Sequence, residues 1–473
     1  MACLTSDRKI LLVLLALTII RGLIYIAVVP PWLAPDESTH FEAIRLIGQE
    51  DLWPTHQVYR STPMHPEMPA SFEKFRVWQI SGLTVPAGRR NPGNPAADSY
   101  VDYYPAHNSG SAVVAGNYPL FYHLVLSPLA GWLKPLSIDA QLYFLRLTSL
   151  LLTTLTVTAG WFMTRAIFPR FAAYAVAVAS FLIFLPMHLY INTALNTDVW
   201  ATVLTAFYFL AMVKIFCGAS GRIWLIVTFV FGLAAIMAKP TTLFIAPTSV
   251  AALGLYAARR WNWRRTWRGV MVAGLVVAVA AGSVLFFQWT AGGRGVATLS
   301  FSTDAVDWPP TYISRESLST YLYTVRWGFL SFWGLFGWAN IAISTAWTRF
   351  WWGLTSFVGL GLVWFFIRQI FSNRANSRLT AGQRDILTVL LLAVIFALIG
   401  VYTPIVATQS SRWGPPSRYL FPALLPIALL FFTGFKQLFP ARLKRYVLPA
   451  WLILFVVFDS AVLFGRLIPF IYG

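Results

Sequence analysis

Charge is scarce in this sequence, at 11% of residues, where a soluble domain usually carries about 25%. With 58% of residues hydrophobic, the chain cannot hide its apolar surface inside one globule and needs lipid to cover the rest. Cysteine is almost missing: Cys3 and Cys217 are the two, both near expected cytoplasmic helix ends, which argues against a disulfide framework or a cysteine metal site. No Walker motif or nucleotide-binding glycine loop stands out in the cytoplasmic loops. Neither an internal repeat nor a soluble stretch of domain size is visible. The histidines His40, His56, His65, His107, His123 and His188 never fall at ligand spacing from one another, so no dedicated zinc site is expected.

What the sequence does hold is apolar runs, rings and positive charge. Aromatic residues make up 16%, with 21 Trp, which suits belts at both membrane interfaces. The net charge of +19 could suggest a nucleic-acid partner, but the basic residues sit between apolar runs. Retention of positive loops on the cytoplasmic side explains them better, and no nucleic acid is expected. Ile10–Val29, preceded by Arg8 and Lys9, is too long for a typical signal h-region and is followed by no small-residue cleavage site. It reads as an uncleaved helix with a cytoplasmic N-terminus.

Runs of about 20 apolar residues span a bilayer core of about 30 Å. They occur near 9–29, 140–164, 171–190, 198–216, 223–239, 243–258, 269–290, 350–368, 386–407, 419–437 and 446–464. The expected fold is therefore an all-α polytopic membrane protein of about eleven transmembrane helices, a single membrane domain over residues 1–473. With the N-terminus inside, the cytoplasmic loops hold 19 basic residues against only Asp7 and Asp385, and 14 of the 17 acidic residues fall on the extracytoplasmic face. That segregation supports the orientation.

Two extracytoplasmic loops stand out, at 30–139 and 291–349. In the first, Pro86–Ser111 reads as irregular loop, and Tyr118–Leu133 as a helix lying on or dipping into the interface. A full crossing there would put Arg165 and Arg170 on the wrong side. Tyr321–Asn340 reads the same way. No broken helix at midplane depth is expected.

Four short tracts carry polar chemistry on that face. In Pro30–Phe41 the prolines end the first span and a short helix starts near Pro35, so Asp36 and His40 share a face while Glu37 points about 100° away. A carboxylate at the water–lipid boundary can act as a general base toward a hydroxyl; acidic residues also simply favour helix starts. In Asn192–Asp198, Asp198 can approach Asp36, or Asn196 and Asp198 can cap the next helix. Lys239 can neutralise a phosphate, or snorkel and complement a helix C-terminus. In Arg412–Pro422, a helix starting near Ser417 would set Arg418 and Tyr419 at an N-terminus, an anion site by construction, although an arginine at headgroup level would look similar. Arg21, midway along the first span, needs a partner, with Asp459 or a lipid phosphate as candidates.

Together these tracts resemble the glycosyltransferase-C (GT-C) superfamily, in particular a bacterial branch of predicted membrane proteins of unknown function. The resemblance is carried by Pro35-Asp36-Glu37 with His40-Phe41, by Asn117–Tyr122, by Asn196 and Asp198, by Ser331–Trp338, and by Arg418–Pro422, over residues 35 to 422. It implies a GT-C fold with interfacial helices in the first extracytoplasmic loop, in a bacterial cytoplasmic (inner) membrane. It also implies a polyprenyl-phosphate-linked sugar donor and inverting transfer, with the catalytic role falling on Asp36 and Glu37. His40, Asn196, Asp198, Lys239, Arg418 and Tyr419 would bind substrate. The acceptor, whether glycan, lipid or protein, is not inherited. No cofactor is required, with room for an optional divalent cation near Glu37. The rival expectations are a transporter or flippase of polyprenyl-linked glycan, and an envelope-glycan polymerase or ligase.

Overall fold

In lipid a backbone has no hydrogen-bond partner but itself, so apolar runs become helices, and the described residues are helical almost throughout. The structure, a computed structural model, describes residues 2–53, 65–81, 121–218, 222–260, 315–371, 379–408 and 417–473. Its helices are α1 (Ala2–Val28), α2 (Glu37–Gln49), α3 (Met68–Lys74), α4 (Val77–Ser81), α5 (Phe121–Leu133) and α6 (Ile138–Ile167). Then come α7 (Ala172–Phe184), α8 (Pro186–Asn192), α9 (Thr197–Phe216), α10 (Arg222–Ala238), α11 (Ile245–Arg260) and α12 (Arg315–Gly334). A two-stranded antiparallel hairpin, β1 (Leu335–Phe336) with β2 (Ile341–Ala342), precedes α13 (Thr345–Phe371), α14 (Ala381–Thr408), α15 (Leu424–Gln437), α16 (Val447–Val462) and α17 (Ile468–Tyr472).

Among the described residues eight helices are long and apolar enough to cross a membrane, or nine if the bent pair α7–α8 counts as one span. Eleven were expected from the sequence. The difference has two sources: α10 is only 17 residues, and the expected span 269–290 lies outside the described residues. The irregular tract Pro86–Ser111 lies outside them too. Leu151, Phe357, Leu360 and Ile453 are each 60–66% exposed, a surface that water would penalise and lipid chains would cover.

Three local expectations are corrected. Pro186 cannot donate a backbone hydrogen bond, and Leu185 before it is extended at φ −82°, ψ 106°, so the third expected span breaks and bends by 64°. Pro422 acts similarly near the end of the chain. Instead of an α-helix from Ser417, residues Ser417–Ala423 form a tighter 3₁₀ turn, and α15 begins only at Leu424. Finally, the last turn of α12 does not lie on a surface: Ser331, Phe332 and Trp333 are buried, and the Trp333 ring stacks on Trp351 with centroids 3.6 Å apart.

The large core runs through the bundle. A smaller apolar cluster, including Trp32, Phe41, Ile44, Met68, Phe72, Tyr122, Leu126 and Leu142, fastens α2, α3 and α5 onto the start of α6. Polar ties reinforce it: Trp32 Nε1 donates to Ser71 Oγ at 2.7 Å, and Ser71 Oγ donates to Asp139 Oδ1 at 2.5 Å. Within the bundle Arg21 finds the protein partner the sequence required. Its guanidinium pairs with Asp459 of α16, whose other oxygen accepts from Tyr25 at 2.8 Å.

Helices α2 and α5 touch backbone to backbone, because Gly48 lies against Ser127 and Gly131 against Gly48. A Cβ at Gly48 would fall 2.1 Å from the Ser127 carbonyl oxygen. Gly48→Ala is expected to destabilise the purified protein by about 1–3 kcal/mol. Gly400→Ala, where an added Cβ meets nothing within 4 Å, should leave the melting midpoint unchanged or raise it.

Candidate active site

The site grows from the break between α1 and α2. The end of α1 leaves its last carbonyls without partners inside the helix. Arg146 of α6 meets that end, donating to the carbonyl oxygens of Val29 at 2.7 Å and Pro30 at 2.9 Å just past the helix, and at 3.5 Å to that of Ile26 in its last turn. The same guanidinium grips Glu37 in a two-pronged pair, Nε to Oε1 at 2.8 Å and Nη2 to Oε2 at 2.6 Å. Glu37 also accepts the backbone N–H groups of Trp32 at 2.9 Å and Leu195 at 3.1 Å. A cation thus faces the C-terminus of one helix and an anion the N-terminus of the next, the arrangement both helix dipoles favour. Glu37 is fully buried and Arg146 nearly so. With four donors on its two oxygens, Glu37 holds three chain segments together and has no direction left for a substrate.

Glu37 points inward as the first residue of α2, and Asp36 before it turns the other way. Asp36 adopts the left-handed region at φ 64°, which aspartate tolerates better than most side chains. Its carboxylate makes no capping bond to α2, so the plain preference of acidic residues for helix starts does not account for it. Instead Asp36 Oδ2 accepts from Arg418 Nη2 at 2.5 Å. The helix expected from Pro35 starts two residues later, and Asp36 meets His40 through the backbone, His40 N–H donating to the Asp36 carbonyl at 3.0 Å.

Asn196 and Asp198 separate in role. Asn196 is the N-cap of α9: its Oδ1 accepts from the N–H groups of Asp198 at 2.8 Å and Val199 at 3.3 Å, and its amide donates to the Ile191 carbonyl at 2.6 Å. This turn delivers Asp198, whose Oδ1 accepts from Lys239 Nζ at 2.5 Å and whose Oδ2 lies 3.8 Å from Arg418 Nε. Lys239 does not snorkel, being 3% exposed. Its ammonium stands 4.7 Å from the centre of the Tyr419 ring, and the Arg418 guanidinium 5.8 Å from the same ring. Arg418 is aimed by its neighbour: Ser417 N–H donates to Ser331 Oγ at 2.8 Å and Ser417 Oγ donates to the Gly328 carbonyl, both on α12.

Asp36, Asp198, Lys239, Arg418 and Tyr419, drawn from four separated stretches of chain, therefore meet at one end of the bundle. They form an alternating cluster of two carboxylates and two cations with no net charge. Access decides between the acidic residues. The Asp36 side chain is 23% exposed against 2% for Asp198 and 0% for Glu37.

His40 is buried beside this cluster and meets a partner that its spacing did not announce. Its Nδ1 lies 3.0 Å from His123 Nε2 of α5. Burial, then the charges of Lys239 and Arg418, push His40 down to about 3; burial and His40 push His123 well below its ordinary value. Among the described residues no group of three or more His, Cys, Asp or Glu is placed to hold a metal ion.

Sequence reasoning missed Arg146, His123 and Tyr190, whose hydroxyl donates to the Leu33 carbonyl at 3.1 Å and accepts from Gly337 N–H at 3.0 Å. For Arg146 a signal existed. It lies inside an apolar run, as Arg21 does, and an arginine there demands a partner. Of the resembling tracts, Asn117–Leu120 lies outside the described residues, as does the Arg412–Pro416 part of the last polar tract.

A family model described as a predicted membrane protein, DUF2142, matches residues 19–427. The chain belongs to that family. The DUF2142 match takes in every residue of the site described above and ends before α16. Curated proteins give no match.

Two outcomes follow from this geometry. Arg146→Met strands a buried carboxylate and should destabilise the protein by about 3–5 kcal/mol, whereas the double variant Glu37→Leu/Arg146→Met should regain much of that loss, as read by thermal unfolding in detergent. His40 and His123 are neutral in the fold and take up protons only on unfolding, below the ordinary value of 6.5. Stability is therefore complete above about pH 7 and falls as pH drops through 6.5 toward 3, by up to about 1.4 kcal/mol per pH unit for each ring. Melting midpoints recorded between pH 7.5 and 5 should show this fall, and His123→Phe should reduce it.

Proposed function

We propose that this chain is a GT-C-type integral membrane glycosyltransferase. In this reading it moves a sugar from a polyprenyl-phosphate donor to a cell-envelope acceptor, with inversion, on the extracytoplasmic face of a bacterial cytoplasmic membrane. The observation that carries the reading is the meeting of a part-exposed carboxylate, Asp36, with two cations, Lys239 and Arg418, at one end of a helix bundle. Such a grouping offers a base and a place for an anionic leaving group within one side chain's reach of each other.

In the proposed step an acceptor hydroxyl gives its proton to Asp36 as its oxygen bonds to the anomeric carbon. The bond from that carbon to the phosphate oxygen breaks, and its electron pair leaves with the polyprenyl phosphate. Lys239 and Arg418 stabilise the charge that develops on the leaving group. Asp198, fixed by the Asn196 cap, orients the sugar or acceptor. Glu37 is a positioning residue: held by Arg146, it fixes the start of α2 and with it the direction of Asp36. Two cations suffice for a lipid phosphate, so the reading requires no metal. Glu37 does not fit as the ligand of an optional cation, because its oxygens already accept from Arg146, Trp32 and Leu195.

One observation favours a second reading. The bend at Pro186 makes α7–α8 a broken helix pair, a feature that transporters place beside their substrates. A transporter or flippase of polyprenyl-linked glycan would use the same cations to hold phosphate without breaking a bond. The two readings part on chemistry. Purified protein given a radiolabelled polyprenyl-phosphate sugar and envelope acceptors should release free polyprenyl phosphate and label the acceptor. Asp36→Asn should slow that release by about 10²–10⁴-fold. Release that survives Asp36→Asn unchanged would remove the base assignment, and translocation without release would favour the transporter.

A further inference from the structure

The two cations that the proposed function assigns to the donor phosphate are already occupied by the protein's own carboxylates. Arg418 pairs with Asp36 and Lys239 with Asp198, each at 2.5 Å, and Arg418 Nε lies 3.8 Å from Asp198 as well. The arrangement is compact and largely shut off from water: side-chain exposures are 8% for Arg418, 3% for Lys239 and 2% for Asp198. A buried cation without a counter-ion is strongly destabilising, so in the absence of ligand these carboxylates keep the site foldable. The same pairing means that an incoming phosphate does not meet bare cations. It has to take the place of carboxylates.

We propose that Asp36 and Asp198 are built-in competitors for the donor phosphate, and that the donor binds by anion exchange: phosphate oxygens replace the carboxylates on Arg418 and Lys239. This inference rests on the glycosyltransferase reading and assigns the two aspartates a second, selecting role. The exchange has a direction set by access. Asp36 is the most exposed member at 23% and is held by the one guanidinium, whereas Asp198 is anchored at the α9 N-terminus behind the Asn196 cap. Asp36 is therefore the carboxylate that leaves first. Leaving Arg418 also frees the Asp36 oxygen that the pairing occupies, so that it can accept the hydrogen bond of an acceptor hydroxyl. Phosphate binding thus releases the base in the same event that seats the leaving group. A neutral polyprenol offers nothing to exchange and would leave Asp36 tied to Arg418. No hinge or lid is needed, since the switch is the choice of anion on one guanidinium.

The exchange makes an expectation that a simple attractive site does not. Removing a catalytic carboxylate should improve donor-lipid binding. Binding of a polyprenyl monophosphate to the purified full chain in detergent would be measured by ligand-induced shift of the melting midpoint and by calorimetry, with the matching neutral polyprenol as control. Asp36→Asn is expected to bind the phosphate lipid on the order of tenfold tighter than the wild type, with polyprenol binding unchanged. Asp198→Asn supplies a second arm and should also bind more tightly, so a folding defect in one variant does not decide the question. Arg418→Gln should bind more weakly. Phosphate-lipid affinity equal to or below wild type in both aspartate variants would overturn the exchange while leaving the transfer reading to its own turnover test. If neither wild type nor variants bound the phosphate lipid, the exchange and the glycosyltransferase reading would both fall.

Discussion

Everything at the candidate site depends on one guanidinium. Arg146 enters from α6 and neutralises Glu37 while donating to carbonyl oxygens at and just past the end of α1. An arginine buried at 1% exposure is tolerable only with its donors used, and here they satisfy a carboxylate and two backbone oxygens together. That single contact fixes where α1 stops, where α2 starts and how the segment ending at Leu195 approaches them. Because Glu37 is drawn inward, Asp36 is left in the turn, in a left-handed conformation, with its carboxylate directed to Arg418.

The second constraint is neutrality in a poorly hydrated place. Two carboxylates and two cations gathered at one end of a bundle would be costly singly, and they tolerate burial because they alternate. The elements that bring them are each held by something nearby and polar: Asp198 by the Asn196 cap, Arg418 by the Ser417 contacts to Gly328 and Ser331, and the Pro30–Pro35 turn by the Tyr190 hydroxyl. These polar neighbours hold the four charged groups in one arrangement. The Arg21–Asp459–Tyr25 cluster serves a different end, fastening α1 to α16.

Several of these features were legible before any coordinates. Apolar runs marked the helices because nothing else satisfies a backbone in lipid. Arg21 was recognisable as needing Asp459 or a phosphate. Asp36, Asp198, Lys239 and Arg418 stood out as charged residues at the ends of apolar runs. What could not be read was which of two plausible uses each would take. In the fold Asn196 caps α9, Lys239 pairs with Asp198, and Glu37 is held by Arg146. His40 and His123 are 83 residues apart, and no spacing rule relates residues on α2 and α5.

The sequence by itself determined that this is a multi-pass helical membrane protein, since composition and run length leave a chain this apolar no soluble alternative. Pro30 and Pro31 marked the end of the first span, whereas the breaks at Pro186 and Pro422 emerged only in the fold, since a proline such as Pro128 lies inside α5 without ending it. Tertiary structure alone decided which charges meet. Pairing between Asp36 and Arg418 spans 382 residues, and such a contact is set by helix packing and by the demand that every buried charge find a partner, neither of which leaves a local mark.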